Sequence, residues 1–370
     1  MSWPVVRSFG APGDRGQAYG AQASERIRRS IDLYTRVFRH YADLGWEEVR
    51  TRARGFLAPI EGYDPSALLE LDGIAGGAGV ELDDILALNV RTEVMFGLGI
   101  GARECTAVVA LPDATTDGHV ILAQNWDWKP QTQETCVLLV SAPDDGPAFV
   151  TLVEAGLLAK TGMNEAGIGL ATNALISDRD QGEPGVPYHA ILRRILQADS
   201  FAEAANAVFR PERASSANYL VAHRDGEALD LEAAPGRAAE TCLIWPEMGV
   251  LAHANHFQST RFMFRDTGLA DEGADSLVRQ HRAERAMREG AGTLSVSSIQ
   301  EALRDHFDRP SSVCSHPTPG TDPEEDYATI ASVVMDLSVG TLWVTEGTPC
   351  RAQFERYDVA QLFSEVRAGS

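Results

Sequence analysis

One cysteine of the chain stands where it could serve as a nucleophile. Cys105 follows a helical stretch and opens the first β-like run, in the segment ECTAVVALP that begins at Glu104. If the Glu104–Cys105 peptide bond were cut, Cys105 would carry both a thiol and a terminal α-amino group. An α-amine has a reference pKa of about 7.7 to 8.0, so it can act as a base near neutral pH. One residue would then supply the nucleophile and the base of an acyl-transfer reaction.

The other cysteines give no pattern typical of a metal or redox site. The chain has five cysteines, an odd number, and no C-x-x-C pair occurs among them. Besides Cys105 they are Cys136, Cys242, Cys314 and Cys350. The nine histidines contain one closely spaced pair, His253 and His256, with no matching carboxylate pattern. The glycine-rich GIAGGAG follows a helical pattern instead of a strand, which disfavours a dinucleotide site. We therefore expect unpaired thiols, no metal ion and no cofactor.

Composition excludes several broad classes of function. The chain has 370 residues, 44% of them hydrophobic, which is enough for a substantial core. The formal net charge is −21, with 53 acidic against 32 basic residues, so the surface repels nucleic-acid phosphates and anionic lipid. No signal-peptide pattern and no apolar run of about 20 residues is present. These features predict a cytoplasmic protein that binds neither nucleic acid nor membranes.

The elements that must position Cys105 change in type at that residue. From about Gly16 to Asn89, apolar residues recur at three- and four-residue spacing, which predicts helices, the third of them ending in glycines. After Arg103 the pattern becomes β: Thr106–Leu111 and His119–Gln124 flank the turn-forming PDATTDG and predict a hairpin. Further strands with helices between them predict a layered α+β sandwich.

Several segments, in their order and spacing, resemble a known family. They are LDGIAGGAGVELDDILALNVRTE before Cys105, and CTAVVALP, AQNWDW, EAGLLAKTGMNEAGIGLATNAL, GVPYHAILRRIL and AHANHF from Cys105 onwards. The sequence resembles the acyl-coenzyme A:6-aminopenicillanic acid (isopenicillin N) acyltransferase family of cysteine N-terminal nucleophile hydrolases. The resemblance implies a four-layer αββα sandwich and a precursor that cuts itself before the cysteine. It thus implies a helical pro-segment (residues 1–104, the α chain) and a catalytic β chain (residues 105–370).

The resemblance also implies a set of site residues. Cys105 would be the nucleophile for self-cleavage and for substrate, and Asp127 would hold its α-amine. The hairpin itself supports the second role, because antiparallel pairing can return Asp127 beside the start of the first strand. Asn255 matches the oxyanion asparagine, Asn173 a second asparagine near the site, and Ser312 a serine implicated in processing. Without the family, Asp127 would be read as a turn residue and the asparagines as structural strand ends.

Three positions depart from the related patterns. Gln124 stands where bile-salt hydrolases and penicillin V acylases have arginine, which favours the acyltransferase branch. Ser315 stands where an arginine often follows the motif's cysteine, and His316 is a candidate for the positioning role of that arginine. Glu104 stands where the fungal acyltransferases have glycine, and a bulkier residue there would slow formation of a strained scissile peptide.

Three hypotheses about function stay open from the sequence. The first is a self-processing thiol amidohydrolase or acyltransferase that cleaves or exchanges the acyl group of a small N-acyl amide or thioester. The second is a peptidase that removes a terminal aminoacyl group from a small peptide or amine. The third is a non-catalytic binding protein that has lost processing. The partners expected are a small-molecule substrate, the two chains of the precursor itself, and a second copy in a homo-oligomer.

Overall fold

The computed structural model describes residues 3–101, 105–262 and 264–369, and Glu104 of the predicted cut site lies outside them. Within these ranges the helices are α1 (Pro12–Ala42), α2 (Trp46–Ala53), α3 (Leu57–Tyr63), α4 (Pro65–Ala78), α5 (Leu82–Asn89), α6 (Arg91–Gly97), α7 (Tyr188–Leu196), α8 (Phe201–Phe209), α9 (Thr267–Glu272), α10 (Asp275–Glu289), α11 (Val296–Ala302) and α12 (Val359–Ala368). None of the helices described has the length and apolar character needed to cross a membrane.

The strands form two sheets. In the described ranges they are β1 (Val5–Gly10), β2 (Thr106–Ala110), β3 (Ile121–Trp128), β4 (Cys136–Pro143), β5 (Phe149–Glu154), β6 (Thr161–Asn164), β7 (Ile168–Ala174), β8 (Ala217–His223), β9 (Glu227–Ala233), β10 (Thr241–Ile244), β11 (Val250–His253), β12 (Ala328–Asp336), β13 (Thr341–Val344) and β14 (Glu355–Asp358). The larger sheet has the order β1-β4-β5-β6-β7-β8-β9-β10 and the smaller one β11-β2-β3-β12-β13-β14.

The two sheets lie face to face with helices outside them. Strand β2 shows how the sequence builds this, because alternate side chains of a strand point to opposite faces. Ala107 and Val109 enter the core between the sheets, whereas Val108 and Ala110 pack with residues of α10 and α11. On the larger sheet, α7 and α8 cover the outer face through a separate apolar cluster. The αββα prediction is therefore confirmed.

The segment before Cys105 is not helical throughout and is not separate from the sandwich. Strand β1 pairs in parallel with β4, with Val5 opposite Leu138, and becomes the edge of the larger sheet. The sequence pattern did not predict this strand. Whether the chain divides into two at residue 104 stays a prediction.

Glycines bring α1 and α4 unusually close. A Cβ atom on Gly20 would lie 2.1 Å from the carbonyl oxygen of Ile74, and one on Gly77 would lie 2.2 Å from that of Gln17. Real Cβ contacts are never this short, so any side chain at either position would push the helices apart. Gly79, with φ +66°, ends α4 in the left-handed conformation. The glycines of GIAGGAG thus serve helix packing as well as the predicted helix end.

The predicted hairpin is confirmed. Strands β2 and β3 pair antiparallel, with Thr106 opposite Asn125 and Ala110 opposite Ile121. Strand β3 continues to Trp128, four residues beyond the predicted end, because its other edge pairs with β12. Asp127 consequently extends two residues past the partner of Thr106, at the end of the hairpin where Cys105 enters it.

Candidate active site

Cys105 occupies a buried and strained position immediately before β2. Its side chain is fully buried, and its φ of +84° lies in the left-handed region that residues with a Cβ rarely adopt. Such a conformation costs on the order of 1 to 3 kcal/mol and persists only where surrounding contacts enforce it. Two side chains do so here: Nδ2 of Asn173 donates to the Cys105 carbonyl oxygen at 3.0 Å, and Nη1 of Arg279 donates to it at 2.9 Å.

Asn173 connects Cys105 to both sheets. It is a fully buried residue of β7, and its Nδ2 also lies 3.3 Å from the carbonyl oxygen of His253 at the end of β11. Its Oδ1 accepts a hydrogen bond of 3.3 Å from Nδ2 of Asn218 on β8. The structure therefore brings Asn173 into direct contact with the backbone of Cys105, and its part in the chemistry stays a prediction.

Arg279 of α10 is a site residue that no sequence motif indicated. Only 3% of the residue is exposed. Its guanidinium donates to the hydroxyl of Thr106 at 3.1 Å and to Oδ1 of Asn255 at 2.8 Å, in addition to the Cys105 carbonyl. A planar guanidinium presents donors in a fixed fork, so one side chain can fix three acceptors relative to each other. Arg279 thereby fixes the position of Asn255, the candidate oxyanion donor, relative to Cys105, the candidate nucleophile.

Asn255 lies in the loop after β11, where other contacts orient it. Its backbone N–H donates to the hydroxyl of Ser276 at 2.7 Å, and its Nδ2 donates to the carbonyl oxygen of Ala174 at 3.1 Å. With Oδ1 held by Arg279, the amide plane is fixed and Nδ2 cannot exchange places with Oδ1.

Asp127 lies beside a small polar cavity. The cavity has a volume of about 200 Å³, and Asp127, Arg279, Ser315 and His316 are among the residues that line it. Asp127 is 4% exposed, and its Oδ1 accepts a hydrogen bond of 2.5 Å from the hydroxyl of Thr329 on β12. Asp127 and the guanidinium that contacts Cys105 therefore share one cavity.

Ser312 lies in the loop between α11 and β12. Its hydroxyl donates to the carbonyl oxygen of Cys314 at 2.7 Å, which is a contact within its own loop. The neighbouring Ser311 and Ser315 line the cavity described above. Ser315 also donates its backbone N–H to the Thr329 hydroxyl at 2.8 Å, and that hydroxyl in turn holds Asp127. The loop thus reaches the site through Ser315, and any role of Ser312 stays a prediction.

His253 forms a buried ionic group with two carboxylates. Its Nε2 lies 2.9 Å from Oε1 of Glu232 and 3.8 Å from Oδ2 of Asp230, and all three side chains are fully buried. Burial opposes the imidazolium, but the charges of Asp230 and Glu232 outweigh it and raise the pKa of His253 to about 9. Burial also raises the pKa of Asp230, to about 6. These ion pairs hold His253 at the end of β11, two residues before Asn255.

The other two histidines near matched motifs are neutral. Burial, followed by the charge of His253, lowers the pKa of His256 to about 4, and its Nδ1 lies 2.8 Å from the hydroxyl of Ser276. Burial, followed by the charge of Arg91, holds the pKa of His189 well below its usual range. Nε2 of His189 lies 2.6 Å from Nη1 of Arg91, in a hydrogen-bond network on the larger sheet. These contacts give both residues structural roles.

Most of these site residues lie in a region of the chain that matches a known family. The model of the family described as acyl-coenzyme A:6-aminopenicillanic acid acyl-transferase matches residues 114–351, which is more than half of the chain. The chain belongs to this acyltransferase family. The matched region starts after Cys105 and includes Asp127, Asn173, Asn255 and Ser312. The resemblance inferred from the motifs is confirmed.

Individual relatives within and near this acyltransferase family are distant. A protein of Emericella nidulans named acyl-coenzyme A:6-aminopenicillanic-acid-acyltransferase 40 kDa form is 28% identical over 251 residues, 68% of this chain and 68% of that protein. Protein dcd1A of Dictyostelium discoideum is 25% identical over 247 residues, 57% of this chain and 54% of that protein. A mutant conjugated bile acid hydrolase from Clostridium perfringens is a solved structure with 14% identity and a TM-score of 0.47, covering 70% of this chain and 94% of that one.

The local sequence does not distinguish Arg279 from the other arginines of α10. Helix α10 carries arginines at positions 279, 282, 285 and 288, and all but the first keep 28% or more of the side chain exposed. Positions three residues apart shift by about 60° around a helix axis, so the four arginines spread over half of its circumference. Only the tertiary packing of α10 on β2 and β11 buries the first of them. Thr329 was missed for a similar reason, since a strand threonine is common anywhere in a sheet.

Four side chains distant in sequence form a cluster with metal-ligand chemistry. One ligand atom each of His306, Cys314, His316 and Cys350 lies within 4.8 Å of all the others. The sequence patterns predicted no metal site, because the chain has no C-x-x-C pair and its close histidine pair, His253 and His256, has no matching carboxylate pattern. The loop between α11 and β12 supplies the first three, and the segment after β13 supplies Cys350. His316 therefore belongs to this cluster and also lines the cavity beside Asp127. A positioning role for His316 in catalysis is thus not the only role that its contacts suggest.

Proposed function

We propose that this chain is a self-processing thiol enzyme that hydrolyses or transfers the acyl group of a small amide through an acyl-enzyme on Cys105. The observation that carries the proposal is the pair of hydrogen bonds from Asn173 and Arg279 to the Cys105 carbonyl oxygen. These residues come from two different layers of the fold, the larger sheet and the helices outside the smaller one, and hold one fully buried cysteine in a strained conformation. A cysteine that served only to fill space would not need two dedicated polar side chains on its backbone.

The proposed chemistry has the same first step in processing and in turnover. The Cys105 thiolate attacks a carbonyl carbon, the C–N bond breaks, and the amine leaves with a proton while a thioester forms on Sγ. In processing, the carbonyl is that of residue 104 and the departing amine is the α-amine of Cys105, which then serves as base. Water attacks the thioester in hydrolysis, and a second amine attacks it in acyl transfer.

The surrounding residues have separate proposed roles. Asn255 donates Nδ2–H to the oxyanion that forms in each attack, and Arg279 positions it by holding Oδ1 at 2.8 Å. Asp127 accepts from the α-ammonium of the processed Cys105, with Thr329 fixing the carboxylate from behind. An oxyanion donor of this kind contributes about 3 to 4 kcal/mol to transition-state stabilisation.

The charge of the cavity favours the aminoacyl variant of this activity. Its described lining carries one guanidinium, that of Arg279, and four carboxylates, those of Asp127, Asp275, Glu325 and Asp326. Excess negative charge attracts a substrate with a free ammonium group and disfavours an anionic acyl group. Release of a terminal aminoacyl group from a small peptide or amine is therefore the second candidate function, with the same nucleophile.

A substrate panel tests both candidates. Aminoacyl and fatty-acyl amides and thioesters are offered to the wild type with and without an amine acceptor, and product release is followed by mass spectrometry. We expect turnover that Cys105→Ala abolishes and that the matched control Cys136→Ala retains, because Cys136 is equally buried but lies on β4 in the larger sheet. A preference for the aminoacyl compounds supports the second candidate. Turnover that survives in Cys105→Ala would refute the proposed nucleophile.

A further inference from the structure

A closely packed group of two imidazoles and two thiols lies beside the candidate active site. Nε2 of His316 is 3.1 Å from Nε2 of His306, 3.5 Å from Sγ of Cys314 and 3.5 Å from Sγ of Cys350. Cys314 and His316 are buried, Cys350 is half-buried and His306 is exposed. Polar tips from three places in the chain thus converge on one point near the surface.

These separations match those of ligands around a single tetrahedral ion. Zinc binds histidine nitrogen at about 2.0 to 2.1 Å and thiolate sulfur at about 2.3 Å, so tetrahedral angles place two nitrogens about 3.4 Å apart and a nitrogen and a sulfur about 3.6 Å apart. The three separations from Nε2 of His316, of 3.1, 3.5 and 3.5 Å, agree within about 0.3 Å, and the other pairs of ligand atoms lie within 4.8 Å of each other. A pair of cysteines with a pair of histidines is also the ligand set that zinc prefers over harder cations.

We propose that His306, Cys314, His316 and Cys350 bind one zinc ion as a closed structural site. Both thiols bind as thiolates and release their protons to solvent, and both histidines bind through the lone pair of neutral Nε2. Four protein ligands complete a tetrahedron and leave no position for water or substrate. The ion is therefore assigned no step in the acyl-transfer chemistry.

The site has a direct mechanical connection to Asp127. Ser315 stands between two of the ligands, and its backbone N–H donates to the Thr329 hydroxyl that holds the Asp127 carboxylate. An ion bound to Cys314 and His316 would fix this stretch of the loop between α11 and β12. It would also cross-link the loop to the segment after β13 through Cys350. Zinc would thus position the carboxylate without contacting it.

Metal analysis of the intact protein is the primary test. The full-length chain, produced in zinc-supplemented medium and dialysed against buffer without chelator, should contain about one zinc per chain. Cys350→Ser and His306→Gln should each weaken zinc binding at least tenfold, since loss of a ligand exceeds the 10- to 100-fold effect of changing an outer-shell partner. The matched controls Cys242→Ser and His223→Gln change the same residue types away from the cluster and should keep stoichiometric zinc.

A cobalt experiment keeps the proposal testable if a variant folds poorly. Co²⁺ added to chelator-treated wild type should give the thiolate-to-cobalt charge-transfer absorption of a tetrahedral site, and zinc should displace it. The Cys105→Ala protein should behave identically, so metal binding is judged separately from the proposed catalytic role of Cys105. Wild type that binds neither metal with a Kd below about 1 μM, or that carries a Cys314–Cys350 disulfide instead, overturns the proposal.

Discussion

Replacing Arg279 by methionine should destabilise the fold and slow the proposed chemistry together. Thr106 and Asn255 each lose a hydrogen bond from a charged donor, and each such bond stabilises the fold by about 2 kcal/mol. The Cys105 carbonyl keeps its hydrogen bond from Asn173. Removing a guanidinium that is 3% exposed recovers part of this sum, because its own desolvation no longer opposes folding. We expect a net loss of about 2 kcal/mol in the free energy of unfolding.

Urea denaturation in a Cys105→Ala background measures this loss without interference from processing. The matched control is Arg285→Met on the same helix. The Arg285 side chain is 54% exposed and pairs with Glu289 four residues on, so the loss in this variant should stay below about 0.5 kcal/mol. With Cys105 present, Arg279→Met should lower kcat/KM about 100-fold through misplacement of Asn255. Arg279→Lys should recover little, because one ammonium cannot reproduce the fork. Equal stability of Arg279→Met and Arg285→Met would refute the reasoning.

Two further changes test the packing and the electrostatics. Gly77→Ala should lower the free energy of unfolding by about 2 to 3 kcal/mol, as measured by thermal unfolding, because the new methyl group has no room against α1. The control is Gly62→Ala on α3, where no atom lies within 4 Å of the new Cβ, and it should not destabilise the protein. The raised pKa of His253, about 9, means that its stabilisation is complete below pH 6.5 and is lost as pH rises through 9. That loss is on the order of 3 kcal/mol, and His253→Gln should remove the slope; a slope that persists would contradict the assignment.

Local patterns in the sequence predict most of the helices and strands, but not every strand pairing or helix contact that they make. The hairpin of β2 and β3 was predictable because two apolar runs flank a turn rich in Pro, Asp and Gly. Strand β1 was not, since its six residues VVRSFG form a strand only through parallel pairing with β4, more than 120 residues away. The close approach of α1 and α4 depends likewise on where two sets of glycines meet.

The candidate site divides in the same way. Cys105, Asp127 and Asn255 could be proposed from their motifs, and the hairpin register accounts for the direction in which Asp127 extends. Arg279 could not, because its burial arises when α10 packs on β2 and β11. The cluster around His316 was hidden for a third reason: its ligands are spread over 45 residues and are joined only when the strands β12 and β13 pair.

The mass of the purified protein tests the central claim most directly. If Cys105 is the nucleophile of a self-processing enzyme, incubated wild type should yield fragments of residues 1–104 and 105–370, the second beginning with an unblocked cysteine. The Cys105→Ala protein should stay a single chain of 370 residues, and Cys136→Ala should be cut as the wild type is. A wild type that stays intact and inactive on every amide and thioester tried, or a Cys105→Ala protein that is still cut at residue 104, would contradict the account.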